Sequence, residues 1–127
     1  MEYTVLIILG ALVQFLLFTL KVGAARKKFG IDAPKTAGDE QWERLFRVQQ
    51  NTMEQLVIFI PAMLIFSNYL SAKWALVPGV IFIVGRQLYA FEYIRNPRSR
   101  VSGMALSLLA NSVLLGGGLV GLVMKMT

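Results

Sequence analysis

The stretch Tyr3–Ala25 reads YTVLIILGALVQFLLFTLKVGAA and contains only two strongly polar side chains, Gln14 and Lys21. A helix that crosses a bilayer needs roughly 20 mostly apolar residues, so this stretch predicts a transmembrane helix. It is too long for the apolar region of a signal peptide, and the flanking Glu2 stands where such a peptide carries basic residues. We therefore interpret the stretch as a membrane span.

Three further stretches of similar character follow, at residues 42–70, 74–94 and 101–124. The first of these is polar in its first half and apolar in its second, the next contains Arg86, and the last contains Asn111 near its middle. Short connections after residues 70 and 94 predict antiparallel neighbours. The sequence therefore predicts a single all-α membrane domain over residues 1–127, folded as an antiparallel four-helix transmembrane bundle.

The composition supports a membrane protein and excludes several kinds of chemistry. Of the 127 residues, 56% are hydrophobic and only 16% are charged, against about 25% charged in a typical soluble domain. The chain has no cysteine and no histidine. It therefore cannot supply a disulfide, a zinc-thiolate site, a cysteine nucleophile or a histidine base, and any reactive sulfur must arrive with a ligand.

Basic residues are concentrated in two of the three predicted loops. They are Arg26, Lys27, Lys28 and Lys35 in the first loop and Arg95, Arg98 and Arg100 in the third. Loops rich in Lys and Arg stay on the cytoplasmic side, so we expect these two loops in the cytoplasm and both termini outside it. The expected location is a bacterial inner membrane, or the endoplasmic reticulum membrane in a eukaryote. The net charge of +6 then needs no nucleic-acid partner.

Polar residues follow helical spacing in two of the predicted spans. Arg47, Asn51 and Glu54 share one face of the second span, and Arg86, Tyr89 and Tyr93 share one face of the third. Both stripes lie toward the cytoplasmic ends of their helices, so they are expected to meet at one depth. The combination of arginine, glutamate, asparagine and tyrosine side chains favours a ligand with carboxylates, an ammonium group and amide bonds, such as a small acidic peptide.

Each of these residues also has a plainer interpretation. Arg86 can extend its long side chain toward the cytoplasmic interface. Glu54 can be a structural partner of Arg86 or Arg47, and Tyr89 and Tyr93 can belong to an interfacial aromatic belt.

Other polar and small residues in the spans are predicted to serve helix packing. Gln14 and Asn111 lie at mid-membrane depth, where hydrogen bonds between helices are more common than ligand contacts. Gly117 and Gly121 have the spacing of small residues at a helix–helix contact.

Two motifs in this chain resemble those of a known family. Residues 43–54, ERLFRVQQNTME, resemble the ERxxRxQxNxxE signature of the membrane-associated proteins in eicosanoid and glutathione metabolism. Residues 86–93, RQLYAFEY, are similar to the RxxYxxxY motif on the third helix of that family. Arg100 stands seven residues after Tyr93, where glutathione-using members place a catalytic arginine. The resemblance extends over about residues 14–105.

The resemblance implies a homotrimer of four-helix subunits that binds glutathione as co-substrate between neighbouring subunits near the cytoplasmic face. It implies transfer of the glutathione thiolate to lipophilic electrophiles, with glutathione-dependent peroxide reduction as a further activity, and no metal. The candidate ligand-binding residues are Arg26, Arg47, Gln49, Asn51, Glu54, Arg86, Tyr89 and Tyr93. Of these, Arg26 and Gln49 are expected to be lent by the adjacent chain. Gln55 stands where some members have a tyrosine that contacts glutathione.

Arg100 is the candidate catalytic residue, and a physical argument supports this role beside the resemblance. Ser99 is the predicted N-cap, which would place Arg100 in the first turn of the fourth helix. A thiol close to a guanidinium and a helix N-terminus has a pKa below the free value of about 8.5.

Two other classes of function compete with an enzyme. The first is a non-catalytic membrane scaffold of the same fold that binds lipid or glutathione, and the presence of Arg100 argues against it. The second is a small four-helix transporter. Such a protein needs an acidic residue in its first span for proton coupling, whereas this span holds Gln14 and Lys21.

Overall fold

The computed structural model of the protein describes residues 1–96, 98 and 101–127, and four α-helices account for most of them. The helices are α1 (Glu2–Phe29), α2 (Glu40–Tyr69), α3 (Leu76–Arg95) and α4 (Val101–Met126). They fall where the four spans were predicted, which confirms the fold class. The largest difference is at the end of α1, which continues four residues beyond Ala25.

Helix capping explains where α1 ends and α2 begins. The last turn of α1 is basic, which suits the partial negative charge of a helix C-terminus, and the helix closes at Gly30 with a left-handed φ of 68°. Asp39 then caps α2, because its Oδ1 accepts hydrogen bonds from the backbone N–H groups of Gln41 and Trp42 at 2.9 and 3.1 Å. The basic end of α1 is thus a helical extension rather than part of the loop.

Large parts of the outer surface of the bundle are apolar, as lipid-facing surfaces must be. Helices α1, α2 and α4 are each long and apolar enough to cross a membrane. Helix α3 is not among them, because Arg86, Gln87, Glu92 and Arg95 lower its apolar content, but its 20 residues give a length of about 30 Å. Large hydrophobic side chains are exposed along the helices, among them Leu6, Leu16, Leu20, Leu115 and Leu119. The protein is therefore an integral membrane protein.

Consecutive helices pack antiparallel around a shared core. At one end Thr4 Oγ1 lies 2.6 Å from Ser67 Oγ, and at the other the Trp42 indole N–H donates to the Val22 carbonyl at 3.1 Å. Helix α2 contacts all three other helices, and α4 packs mainly against α3 and α2. The C-terminal ends of α1 and α3 therefore meet the N-terminal ends of α2 and α4.

The predicted packing roles of the mid-membrane polar residues are confirmed. The amide of Gln14 donates to the Ile83 carbonyl at 3.0 Å, and the amide of Asn111 donates to Gln55 Oε1 at 3.0 Å. A Cβ on Gly121 would lie 2.6 Å from the Tyr69 carbonyl oxygen, so this glycine allows a close approach of α4 to α2.

Candidate functional site

A polar cavity opens at the end of the bundle where α2 and α4 begin. It has a volume of about 260 Å³. The lining residues are Arg47, Gln50, Asn51 and Glu54 from α2, Tyr89 and Tyr93 from α3, and Met104 from α4. The structure therefore brings the two predicted polar stripes together, with a cation, a carboxylate, amides and phenols around one space.

The two tyrosines form the α3 side of this cavity. Their rings are stacked, with centroids 5.5 Å apart and an interplanar angle of 19°. Tyr89 is 3% exposed and Tyr93 is 8% exposed. Such buried rings do not belong to an interfacial aromatic belt, and the plainer interpretation of both residues is wrong.

The two charged residues of the α2 stripe lie on the open side of the cavity. Arg47 and Glu54 are both exposed. Within residues 1–96, 98 and 101–127, the one ion pair joins Arg44 to Glu40 at 2.7 Å. Glu54 is thus not a structural partner of Arg47 or Arg86, and both charges face outward from the single chain.

Arg86 lies beneath the cavity and not in its lining. Its side chain is fully buried. Its Nε donates to Ser107 Oγ at 2.9 Å, and its Nη1 donates to Asn51 Oδ1 at 2.6 Å. The guanidinium carbon lies 4.5 Å from the centroid of the Tyr89 ring. Arg86 does not extend to the interface; it holds Asn51 and Tyr89, two residues that line the cavity.

A close contact between α3 and α4 supports the same arrangement. The backbone N–H of Gly103 donates to Glu92 Oε1 at 2.9 Å, and the Gly103 carbonyl accepts from Ser107 Oγ at 2.9 Å. A Cβ on Gly103 would overlap the backbone of Tyr89. Only a glycine therefore lets α4 come this close to the helix that carries both tyrosines.

Sequence reasoning missed the residues that support Arg86. Ser107 and Thr52, whose Oγ1 lies 3.4 Å from Arg86 Nη1, carry short uncharged side chains that no motif singles out. One feature of the sequence could have indicated this contact. Gly103 and Ser107, a small residue and a hydroxyl-bearing residue, lie four positions apart on one face of α4.

Two predicted ligand residues lie away from the cavity of their own chain. Arg26 stacks over the Trp42 ring at 4.6 Å and donates to the Lys35 carbonyl at 2.7 Å. The amide of Gln49 donates to Thr19 Oγ1 at 3.2 Å, so Gln49 faces α1. This placement agrees with the expectation that both are lent to an adjacent chain, which remains a prediction.

The predicted catalytic residue Arg100 and its predicted cap Ser99 lie outside the described residues. No three His, Cys, Asp or Glu side chains cluster as a metal site would require in the part of the chain that the structure describes.

The fold and the site define a class of protein: a helical membrane bundle with a polar pocket at one end, lined by a cation, a carboxylate, amides and phenols. Comparison with known sequences agrees with this class. Residues 4–120 match the model of the MAPEG family, and the chain belongs to this family. It is 36% identical over 116 residues to an uncharacterized protein of Synechocystis, covering 91% of this chain and 85% of that one.

Relatives with enzyme names also match. The chain is 39% identical over 101 residues to microsomal glutathione S-transferase 2 of Homo sapiens, covering 78% of this chain and 69% of that protein. It is 28% identical over 115 residues to leukotriene C4 synthase of Bos taurus, covering 91% of this chain and 76% of that protein.

Proposed function

We propose that this protein is a membrane-bound glutathione transferase that joins the glutathione thiolate to lipophilic electrophiles. The observation that carries the proposal is the cavity in which Arg47, Glu54 and Asn51 face Tyr89 and Tyr93. The relatives named glutathione S-transferase and leukotriene C4 synthase support the same chemistry.

The charged and polar groups that line the cavity suit several of the groups that glutathione carries. Glutathione carries two carboxylates, one ammonium group, two peptide bonds and a thiol. The Arg47 guanidinium suits a carboxylate and the Glu54 carboxylate suits the ammonium group, because charge-assisted hydrogen bonds are the strong ones. Asn51 and the two phenols can form hydrogen bonds with the peptide groups. Because Asn51 Oδ1 accepts from Arg86, the side-chain amide of Asn51 is held in one orientation toward the ligand.

The cavity of one chain is open, and a second copy of the chain is the proposed cover. Arg47 and Glu54 are exposed on a helix long and apolar enough to cross a membrane. Charged side chains at such positions almost always face protein or water rather than lipid. In the proposed homotrimer the neighbouring subunit closes this side, and its Arg26 and Gln49 complete the site.

The proposed reaction needs a thiolate, and Arg100 is its proposed source of stabilisation. The thiol of bound glutathione loses its proton to water, and the thiolate sulfur then attacks an electrophilic carbon, forming a sulfur–carbon bond as the displaced group takes the electron pair. A guanidinium close to the sulfur favours the ionised form. The electrophile enters from the lipid along the apolar helix faces.

The first test measures glutathione binding in variants of the cavity. Glu54→Ala and Arg47→Ala are each expected to weaken binding at least about tenfold, since a hydrogen bond to a charged group contributes about 1.5–3 kcal/mol. Calorimetry on detergent-solubilised protein measures this change. Glu40→Ala on the same helix is the matched control, because Glu40 lies outside the cavity lining. If both cavity variants bind glutathione as wild type does, the polar stripe of α2 has a structural role and does not bind the ligand.

The second test concerns catalysis. Arg100→Ala is expected to raise the pKa of the bound thiol, so the turnover rate falls at neutral pH and recovers as the pH rises. Apparent glutathione affinity should change little, and Arg100→Lys should restore part of the rate because it keeps the charge. Titration of thiolate absorbance reads the pKa directly, with Arg98→Ala as control. Equal thiol pKa values in wild type and Arg100→Ala would refute the catalytic assignment.

The third test concerns the orientation in the membrane, which we propose places the first and third loops in the cytoplasm. Lys28 and Lys73 are exposed and lie at opposite ends of the bundle. The chain has no cysteine, so Lys28→Cys and Lys73→Cys each introduce one thiol. A membrane-impermeant maleimide added to intact cells should label Lys73→Cys alone. Labelling of both from outside would contradict the proposed orientation.

A further inference from the structure

A second, larger groove runs along the outside of the bundle, on the side formed by α1 and α3. It consists of two adjoining lobes of about 640 and 760 Å³. Both lobes are lined by Lys21, Leu45, Ile94 and Arg95. None of the residues lining either lobe lines the polar cavity, so the groove is a separate feature of the molecule.

Four cations line this groove. Lys21 and Lys28 are seven residues apart on α1, two helical turns along one face, and Arg44 and Arg95 join them from α2 and α3. Two carboxylates are near: Glu40 pairs with Arg44, and Glu92, in the second lobe, accepts from Gly103.

Among the described residues, neither lysine forms an ion pair, and the groove carries an excess of positive charge. Lys21 lies eight residues before the end of α1 at Phe29, about 12 Å along the helix. This depth lies within the apolar span, where a lysine directs its ammonium group toward the headgroup level. The groove therefore offers positive charge at the boundary between headgroups and acyl chains.

The floor of the groove is apolar, and small side chains leave room above it. Ala24 and Ala25 stand between the two lysines on α1, Leu45 closes the groove from α2, and Ile94 and Phe91 form its α3 wall. A molecule that fits has an anionic head for the lysines and a long apolar chain for the floor. Membrane phospholipids with a net negative charge have this chemistry.

We propose that the α1–α3 groove binds one anionic phospholipid, with its phosphate between Lys21, Lys28 and Arg95 and an acyl chain that runs deeper along Phe91 and Leu88 of the second lobe. A lysine or arginine near an anionic lipid surface contributes about a fivefold gain in affinity. The groove thus selects anionic over zwitterionic lipid and is independent of the glutathione pocket.

Native mass spectrometry of the detergent-solubilised full chain tests the selection, with dioleoylphosphatidylglycerol and dioleoylphosphatidylcholine as probes. Wild type should retain the phosphatidylglycerol preferentially. The double variant Lys21→Gln/Lys28→Gln should bind it about 25-fold more weakly, which is fivefold for each charge. Lys27→Gln/Lys35→Gln removes the same charge from residues outside the groove lining and should bind as wild type does.

Two further arms separate the phospholipid from other occupants. Ala24→Trp keeps every charge but fills the floor, so it should weaken phosphatidylglycerol binding, while glycerol 3-phosphate should not bind wild type detectably. Equal retention of both lipids, equal loss in the two lysine variants, or tight binding of glycerol 3-phosphate would overturn the proposal. Cross-linking of Lys21→Cys between two subunits would also overturn it, because the groove would then be an interface between copies.

Discussion

Gly103→Ala is expected to destabilise the protein by about 1–3 kcal/mol, the usual cost of forcing extra volume into a packed contact. The added Cβ would overlap the backbone of Tyr89, and backbone cannot move aside as a side chain can. Helices α3 and α4 must separate, which breaks the two hydrogen bonds between them, from Gly103 to Glu92 and from Arg86 to Ser107. Thermal unfolding in detergent measures the change.

Gly116 on the same helix provides the matched control. No atom lies within 4 Å of a Cβ added there, so Gly116→Ala should leave packing intact. Alanine is favoured over glycine in a helix interior by about 0.8–1 kcal/mol, and the two variants should therefore shift stability in opposite directions. A Gly103→Ala protein as stable as Gly116→Ala would show that the α3–α4 contact tolerates additional volume.

Arg86→Met is expected to have the larger effect, about 3–6 kcal/mol, because it removes two buried hydrogen bonds to a charged group, each of which contributes about 1.5–3 kcal/mol. Asn51 and Ser107 would each lose a hydrogen bond to the guanidinium, and Tyr89 would lose the cation over its ring. Arg86→Lys should be more stable than Arg86→Met but less stable than wild type. An ammonium group cannot reproduce the planar guanidinium, which donates to Ser107 and Asn51 at the same time. Arg98→Met removes the same group from an exposed position and should cost within about 0.5 kcal/mol.

Glutathione affinity separates two roles for Arg86. A residue that positions Asn51 and Tyr89 should affect binding even in Arg86→Lys, whose fold is retained, and the affinity of that variant should fall. If Arg86→Lys binds glutathione as wild type does, then Arg86 acts on stability alone and the cavity does not depend on it.

The helices and the two polar stripes could be predicted from the sequence because both follow from spacing along a helix. Long apolar stretches set the number of spans, and intervals of three, four and seven residues placed Arg47 with Glu54 and Tyr89 with Tyr93. The burial and the hydrogen-bond partners of Arg86 could not be predicted, since periodicity gives the direction of a side chain but not the groups that it contacts. Two of the hydrogen-bond acceptors, Ser107 and Thr52, carry short hydroxyl side chains of a kind that occurs on many helices.

The extension of α1 beyond Ala25 was missed for a different reason. Hydropathy reports where an apolar stretch ends, and here the apolar stretch ends before the helix does. Residues 26–28 are basic but still helical, and the helix continues through Phe29 and stops only where Gly30 adopts a left-handed conformation. The groove lined by Lys21 and Lys28 depends on this extension, because it holds both lysines on one helical face.

If the polar cavity binds glutathione as proposed, its open side links ligand binding to assembly of the subunits in one equilibrium. In the proposed homotrimer, a neighbouring copy covers Arg47 and Glu54, so a lone chain binds the tripeptide with an incomplete set of contacts. Thermodynamic linkage is reciprocal: if assembly raises the affinity for the ligand by a given factor, the ligand raises the affinity between subunits by the same factor. Measured affinity will then rise with the amount of protein per micelle, and saturating glutathione will hold subunits together on dilution.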